Sequence, residues 1–425
     1  ERSLLRLEPR LDREPGRLSR GLPIEQRRSE KDCSCACIYL ELGGEGMKVL
    51  YILPYDWGGM PHYVAGIANS VSKDAEVAVV GSKAIHVGYF SEKVEIIKVF
   101  DILNLSMNYT KGLFSLSIIK GLLSFNRVKI IDEIQPDVIH IAVPLVPPLS
   151  FFIWAYGLDK KYSIVYTKHR VISDSNLSEK IFEEYILNFF EKWVQIKKVI
   201  VHTQKDKDDL LTSKKLGIID ETRVAVIPHG TYSFFMSSDE KVSTESNCIL
   251  FFGSIKDYKG LEYLIKAVPL IAKQIPDLKV IIAGDGDLAP YQSIMKVCDK
   301  SVFEIHNEFV SDDLVASLFQ RSTLVVLPYT EMSGMSGVLN VAYAFGKPVV
   351  VSDVGGLNEV VEHGKTGLLI PPRNPQALAD AIIQLLVDPN LRAIMEENVK
   401  IKAEELSWDS VAKKHLMLYN GLLGR

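Results

Sequence analysis

From Met47 onward, short runs of aliphatic and β-branched residues alternate with longer amphipathic segments, and this alternation restricts the fold more than any other feature. Runs are legible at 49–53 (VLYIL), 76–80 (EVAVV), 137–143 (DVIHIAV), 163–167 (SIVYT), 199–203 (VIVHT) and 224–228 (VAVIP). They are continuously apolar rather than alternating, so each predicts a strand buried on both faces. Strands of that kind sit in parallel sheets with helices crossing over both sides, which makes this segment a doubly wound α/β domain.

The polar stretch SSDEKVSTES at 237–246 has no apolar period and reads as a linker. Beyond it the pattern restarts at 248–252 (CILFF), 278–284 (LKVIIAG), 323–328 (TLVVLP) and 347–352 (KPVVVS), giving a second doubly wound domain. The expected organisation is a tail at 1–46, a first Rossmann-like domain at 47–236, the linker at 237–246, a second Rossmann-like domain at 247–407, and a last helix at 408–425. In that last segment Trp408, Val411, His415, Leu416, Tyr419 and Leu422 recur near helical spacing, as in a helix that crosses back to the first domain. Two such sheets face each other across a cleft at their carboxyl ends, where open α/β sheets bind ligands.

Composition narrows the partners. Hydrophobic residues at 47% and charged residues at 24% suit a packed globular protein. A net charge of −4 gives no footprint for nucleic acid. Five cysteines in 425 residues make no disulfide framework. Cys248 and Cys298 fall in apolar stretches, and Cys33, Cys35 and Cys37 have no zinc-site spacing, so no metal is expected. The first 46 residues hold eight arginines and one lysine, whereas lysine dominates later, and they lack the apolar core of a signal peptide. That tail is expected to lie outside the fold, as a segment of different origin. The uncharged run 138–158 is long enough to raise a membrane span, but His140, Pro144, Pro147 and Pro148 break it into a buried strand, a loop and a core helix. A cytoplasmic protein is expected, and the Asn-x-Ser/Thr triplets at Asn104, Asn108 and Asn176 carry no weight.

Four loops carry the candidate chemistry. In PYDWGGMPHYVAGIA, Gly58 and Gly59 allow close backbone approach before a helix, either to a phosphate or sugar or as a plain tight turn. In FFGSIKDYKGLEYLIKAV, Lys259 stands where a helix opens and could meet a diphosphate. GDGDL places Gly284 and Gly286 after a strand, a weak signal. The strongest is YTEMSGMSGVLNVAYAFGKPVVV from 329 to 351, in which Ser336 is an N-cap candidate, Gly337 lets the backbone approach a ligand, and the helix amides at Gly337 and Val338 favour an anion.

Together with DVIH, VIVHTQKDKDDLL, VAVIPHG, AFGKPVVVSDVGGLNEVVEHGKTGLLIPP and the terminal SWDSVAKKHLMLY, these loops resemble the retaining, nucleotide-sugar-dependent glycosyltransferases of family 4. The resemblance covers about 47–425 and implies the GT-B architecture of two Rossmann-like domains. It implies transfer of a sugar from a nucleoside-diphosphate sugar with its anomeric configuration kept, and no metal or other cofactor. It matches Lys259 and Gly59 to the donor diphosphate, and His169 to a histidine on the cleft side, which with Glu331 makes the catalytic candidates. Ser254 stands where the family carries a second cation. Ser333 and Val341 stand where it carries two glutamates, so Glu331, Ser333 and Gly334 become candidates for the sugar hydroxyls and Asn340 for the nucleotide.

The alternative is a catalytically silent sugar-nucleotide-binding or partner subunit. An epimerase on the same architecture is a third possibility, with less support. The acceptor is unreadable and falls among glycans, lipid-linked molecules and small molecules. The stretch 113–131, with Lys120, Arg127 and Lys129, reads first as an amphipathic core helix, with peripheral contact to the inner membrane face as the alternative.

Overall fold

The computed structural model describes residues 46–54, 58–101, 116–171, 193–212, 220–237 and 242–425. Residues 1–45, with Cys33, Cys35 and Cys37, lie outside the described residues, as do Asn104, Asn108 and Asn176.

The first sheet contains β1 (Lys48–Leu53), β2 (Glu76–Ser82), β3 (Val94–Phe100), β4 (Val138–Ile141), β5 (Ser163–Thr167), β6 (Ile196–Val201) and β7 (Val224–Val226). All pairs are parallel, in the order β3-β2-β1-β4-β5-β6-β7. The second sheet holds β8 (Cys248–Phe252), β9 (Lys279–Ala283), β10 (Phe303–His306), β11 (Leu324–Leu327), β12 (Val349–Ser352) and β13 (Gly367–Ile370). It too is parallel, in the order β10-β9-β8-β11-β12-β13.

The continuous apolar runs are the strands buried on both faces. β1 and β8 are buried along almost their whole length, as parallel strands between helix layers must be. Three strands escaped the sequence pattern, β3, β10 and β13, and all three lie at sheet edges. There one flank is open, and VEIIKVF and FEIH interleave charged residues with apolar ones.

Six helices bear on the site. α1 (Met60–Val71) follows β1, α2 (Pro147–Ala155) follows β4, and α3 (Gln204–Thr212) follows β6. In the second domain α4 (Leu261–Ala272) follows β8 and α5 (Gly337–Ala344) follows β11. The last is α6 (Trp408–Leu423). The uncharged run 138–158 resolves into β4, a turn and α2, with Pro147 in the first turn of α2, where a missing N–H costs nothing. Among the described residues no helix is long and apolar enough to cross a membrane. The stretch 113–131, expected as one amphipathic helix, breaks after Ser124 into a 3₁₀ segment over Phe125–Ile130; Phe125 and Val128 anchor it in the core, while Lys120, Arg127 and Lys129 are exposed.

α6 starts from the second domain and packs along α1 of the first. Trp408, at its first position, lies between two glycines: a Cβ on Gly66 would stand 2.3 Å from its Cε2, and one on Gly230 2.4 Å from its Cδ2. Near the other end, Tyr419 Oη lies 2.6 Å from His140 Nδ1 and 3.3 Å from Tyr51 Oη, both on strands of the first sheet. Burial of Trp408 and Tyr419 therefore ties the two domains together.

Candidate active site at the two switch points

In each sheet the strand order reverses once, between β1 and β4 in the first and between β8 and β11 in the second. At such a point adjacent loops diverge to opposite faces and leave a crevice at the carboxyl ends of the strands. β1 leads into Gly58 and Gly59, β8 into the segment ending at Lys259, and β11 into the segment from Tyr329 to Ser336. Three of the loops singled out in the sequence are thus the ones that topology sends to the crevice, whereas GDGDL follows β9, one strand away from the switch point.

Lys259 ends a short 3₁₀ turn, Asp257–Lys259, just before α4. It is only 7% exposed, and among the described residues no carboxylate pairs with it. Its ammonium lies 5.5 Å from the centre of the Tyr329 ring, and a Cβ on Gly253 would stand 2.6 Å from Nζ and 3.4 Å from Val338 Cγ2. The cation is therefore held between the β8 loop and the first turn of α5. Burial pulls its pKa below the usual lysine value. A desolvated ammonium without a counter-ion is costly, which is the signature of a group kept for an anionic ligand.

α5 begins as its sequence predicts. Ser336 is the N-cap: its Oγ accepts from Leu339 N at 3.4 Å and lies 3.3 Å from Tyr329 Oη. Burial pushes the Tyr329 hydroxyl up to about 12. The cap serves one of the first amides and leaves those of Gly337 and Val338, which no helical carbonyl can reach. Both residues are partly exposed, so their amides and Lys259 present positive charge from one small region.

Several expected ligands stand elsewhere. Asn340 is fully buried with its Nδ2 donating to Ser336 O at 3.2 Å, because its place on α5 turns it into the core; it is not a cleft group. Val341 is buried as well. Gly284 and Gly286 are explained by packing. A Cβ on Gly284 would fall 2.2 Å from Gly253 O and one on Gly286 2.6 Å from Ile255 O, where Ile255 and Gly286 form a parallel bridge extending the β8–β9 ladder. Ser254, Glu331 and Gly58 are exposed, and Glu331 makes no hydrogen bond or ion pair among the described residues.

Ser333 and Gly334, expected to hold sugar hydroxyls, are engaged by the first domain. Ser333 Oγ donates to Val171 O, and Gly334 N donates to Asp206 Oδ1 at 3.1 Å. A Cβ on Gly334 would lie 2.0 Å from His169 O, so only glycine permits this approach. Nearby, Glu359 accepts from Gln204 N at 2.6 Å and Lys205 N at 2.7 Å, neutralising the start of α3 with a carboxylate from the other domain.

Both ring nitrogens of His169 are engaged within the first domain. Nε2 lies 2.9 Å from Ala142 O and Nδ1 3.2 Å from His202 Nε2, while His202 Nδ1 lies 2.9 Å from Ile227 O. Burial lowers the His169 pKa to about 4 and that of His202 well below the usual value, so both rings are neutral at pH 7. A neutral His169 ring can donate to only one of its two neighbours at a time. His169 therefore contributes its backbone to the crevice wall and its ring to the first domain.

Two residues at the crevice carried no signal in the sequence. Asp206 is 4% exposed, and burial raises its pKa. Thr203-x-x-Asp206 looks like a capping box. The structure realises half of one, with Asp206 N donating to Thr203 Oγ1 at 3.0 Å and the carboxylate diverted to Gly334. Tyr232, 6% exposed, lies against Gly59 and Gly337, one glycine from each domain. Among the described residues no cluster of three or more His, Cys, Asp or Glu could hold a metal ion.

Comparison with known proteins fits this geometry. A family described as Glycosyltransferase Family 4 matches residues 57–231, and one described as Glycosyl transferases group 1 matches 246–388, so the two matches fall on the two sheets in turn. An uncharacterized glycosyltransferase of Methanocaldococcus jannaschii is 34% identical over 217 residues, 47% of this chain and 54% of the relative, a match to about half of its length. The D-inositol 3-phosphate glycosyltransferase of Corynebacterium glutamicum is 26% identical over 86% of this chain and 92% of its own. Among solved structures, Anabaena HepE in complex with UDP and glucose superposes with a TM-score of 0.66 at 19% identity, covering 88% of this chain and 100% of that one, a likeness of fold. The fold is that of the GT-B glycosyltransferases, with the family 4 match on the first domain and the group 1 match on the second.

Proposed function

We propose that the protein transfers a sugar from a nucleoside-diphosphate sugar to an acceptor and keeps the anomeric configuration. The observation that carries this is Lys259, a buried cation beside the first turn of α5 that has no counter-ion among the described residues. As the glycosidic bond stretches, the sugar becomes oxocarbenium-like and the departing diphosphate gains negative charge. Groups already fixed in place to meet that charge lower the barrier without reorganising. Lys259 and the amides of Gly337 and Val338 meet the leaving diphosphate, and the backbone at Gly59 approaches it from the first domain. Solved structures of Anabaena HepE hold UDP with glucose and UDP-glucose, which supports a sugar nucleotide as donor here. The acceptor is a glycan, a lipid-linked molecule or a small molecule.

The test is release of nucleoside diphosphate from a panel of sugar nucleotides, followed by mass spectrometry with no acceptor present. Slow hydrolysis of one donor supports the proposal, and neither binding nor turnover of any donor overturns it.

A second reading, a silent sugar-nucleotide-binding subunit, is favoured by the engagement of Ser333 and Gly334 with the first domain and by the exposure of Glu331. Tight donor binding without hydrolysis or transfer, with activity only on adding a second protein, would select it.

A further inference from the structure

Tyr232 lies in HGTYSFF, the segment that leaves β7 and leads toward the second domain. A methyl group built on Gly59 would stand 3.5 Å from its Oη. One built on Gly337 would stand 3.5 Å from its Cε2 and 3.9 Å from its Oη. The phenol therefore occupies the space between the glycine turn of the first domain and the first residue of α5. Those are two of the backbones to which the proposed function brings the donor diphosphate.

The ring is held firmly. Its centre lies 5.7 Å from that of Phe234 and 6.1 Å from that of Phe235, both in edge-to-face contact. The hydroxyl is directed by His229. His229 Nδ1 lies 2.7 Å from Gly230 O, which can only accept, so the proton sits on Nδ1 and Nε2 is an acceptor. Tyr232 Oη then donates to that Nε2 at 3.2 Å. Burial keeps the phenol protonated by raising its pKa and keeps His229 neutral by lowering its pKa to about 3. The result is a neutral donor held in place beside both glycines, its proton free to turn away from His229.

We propose that the Tyr232 hydroxyl is a ligand of the donor's diphosphate, donating to a phosphate oxygen brought up beside Gly59 and Gly337 and acting together with Lys259. The inference rests on the proposed function. When the anion binds, the hydroxyl proton turns from His229 Nε2 to the phosphate oxygen, and a neutral hydrogen bond is exchanged for a charge-assisted one. Because one bond replaces another, the effect falls at the low end for such contacts, about tenfold in affinity.

Wild type, Tyr232→Phe and Lys259→Met are titrated calorimetrically with the diphosphates of uridine, guanosine and adenosine. The expected result is that the tightest-binding diphosphate binds Tyr232→Phe about tenfold more weakly. If Tyr232→Phe changes affinity less than about threefold, or tightens binding as the removal of a plug would, while Lys259→Met still loses affinity, the tyrosine has no such role and the proposed function stands. If no diphosphate binds wild type, or Lys259→Met binds like wild type, the proposed function falls and this inference with it. A structure of wild type with bound diphosphate decides the matter even if the variant fails to fold. Oη within about 3 Å of a phosphate oxygen supports the inference, and a longer separation overturns it.

Discussion

Replacing Lys259 with methionine should make the protein more stable and less able to bind its donor. Methionine keeps the unbranched chain and removes the ammonium. Lys259 is buried with no carboxylate paired to it among the described residues, and the Tyr329 ring, 5.5 Å from its ammonium, offsets only part of the desolvation cost. Removing it should stabilise the fold by about 1 kcal/mol, within the range common for relieving strain at functional sites. For a chain of 425 residues that is a rise in Tm of about 1 °C. Affinity for the nucleoside diphosphate should fall by about 10–150-fold, the loss of one hydrogen bond to a charged group at about 1.5–3 kcal/mol.

A pH series adds a sign. The folded pKa of Lys259 lies below the ordinary 10.5, so between the two values the unfolded chain binds more protons and wild-type stability rises with pH. Lys259→Met should lack that rise. The assays are thermal melts across pH 7–10 and calorimetric titration. A variant that melts lower than wild type and still binds diphosphate normally would refute the reasoning, because the ammonium would then be satisfied within the protein.

Other perturbations follow from the same crevice. Ser336→Ala removes the cap that serves Leu339 N, and should cost about 1 kcal/mol in urea unfolding and weaken diphosphate binding as the start of α5 frays. Asp206→Asn keeps an acceptor for Gly334 N and removes a buried charge. The folded pKa of Asp206 is raised, so the stability tied to it is present below the ordinary carboxylate value and lost as pH rises through the folded one. The asparagine variant should therefore melt at or above wild type at pH 7, whereas Asp206→Ala, which leaves Gly334 N without its acceptor, should lose about 1–3 kcal/mol.

The fold was legible wherever strands are buried on both faces. CILFF and SIVYT are strands β8 and β5 to the residue, because a run buried on both faces carries its own hydrophobic signal. β3 and β10 were missed because at an edge Glu95, Lys98, Glu304 and His306 interrupt the run, and β13 because GLLI is only four residues long and opens on glycine. At the site, the Ser336 cap could be read because it is a local event spanning three residues. The packing of Asn340, Gly284 and Gly286 was not legible because a loop motif does not say which way a side chain faces or which backbone comes close. Asp206 and Tyr232 were invisible for a related reason. Their partners, Gly334 for one and the pair Gly59 and Gly337 for the other, lie far away in sequence, and Thr203-x-x-Asp206 offers a purely local explanation that the structure only half follows.

The most direct test of the account is to follow the sugar that wild type frees from its preferred nucleoside-diphosphate donor by proton NMR in the first minutes, before mutarotation. The account predicts release of nucleoside diphosphate together with a sugar in the same anomeric configuration as the donor. Release of the opposite anomer would contradict retention, and the absence of any turnover would contradict the transferase itself.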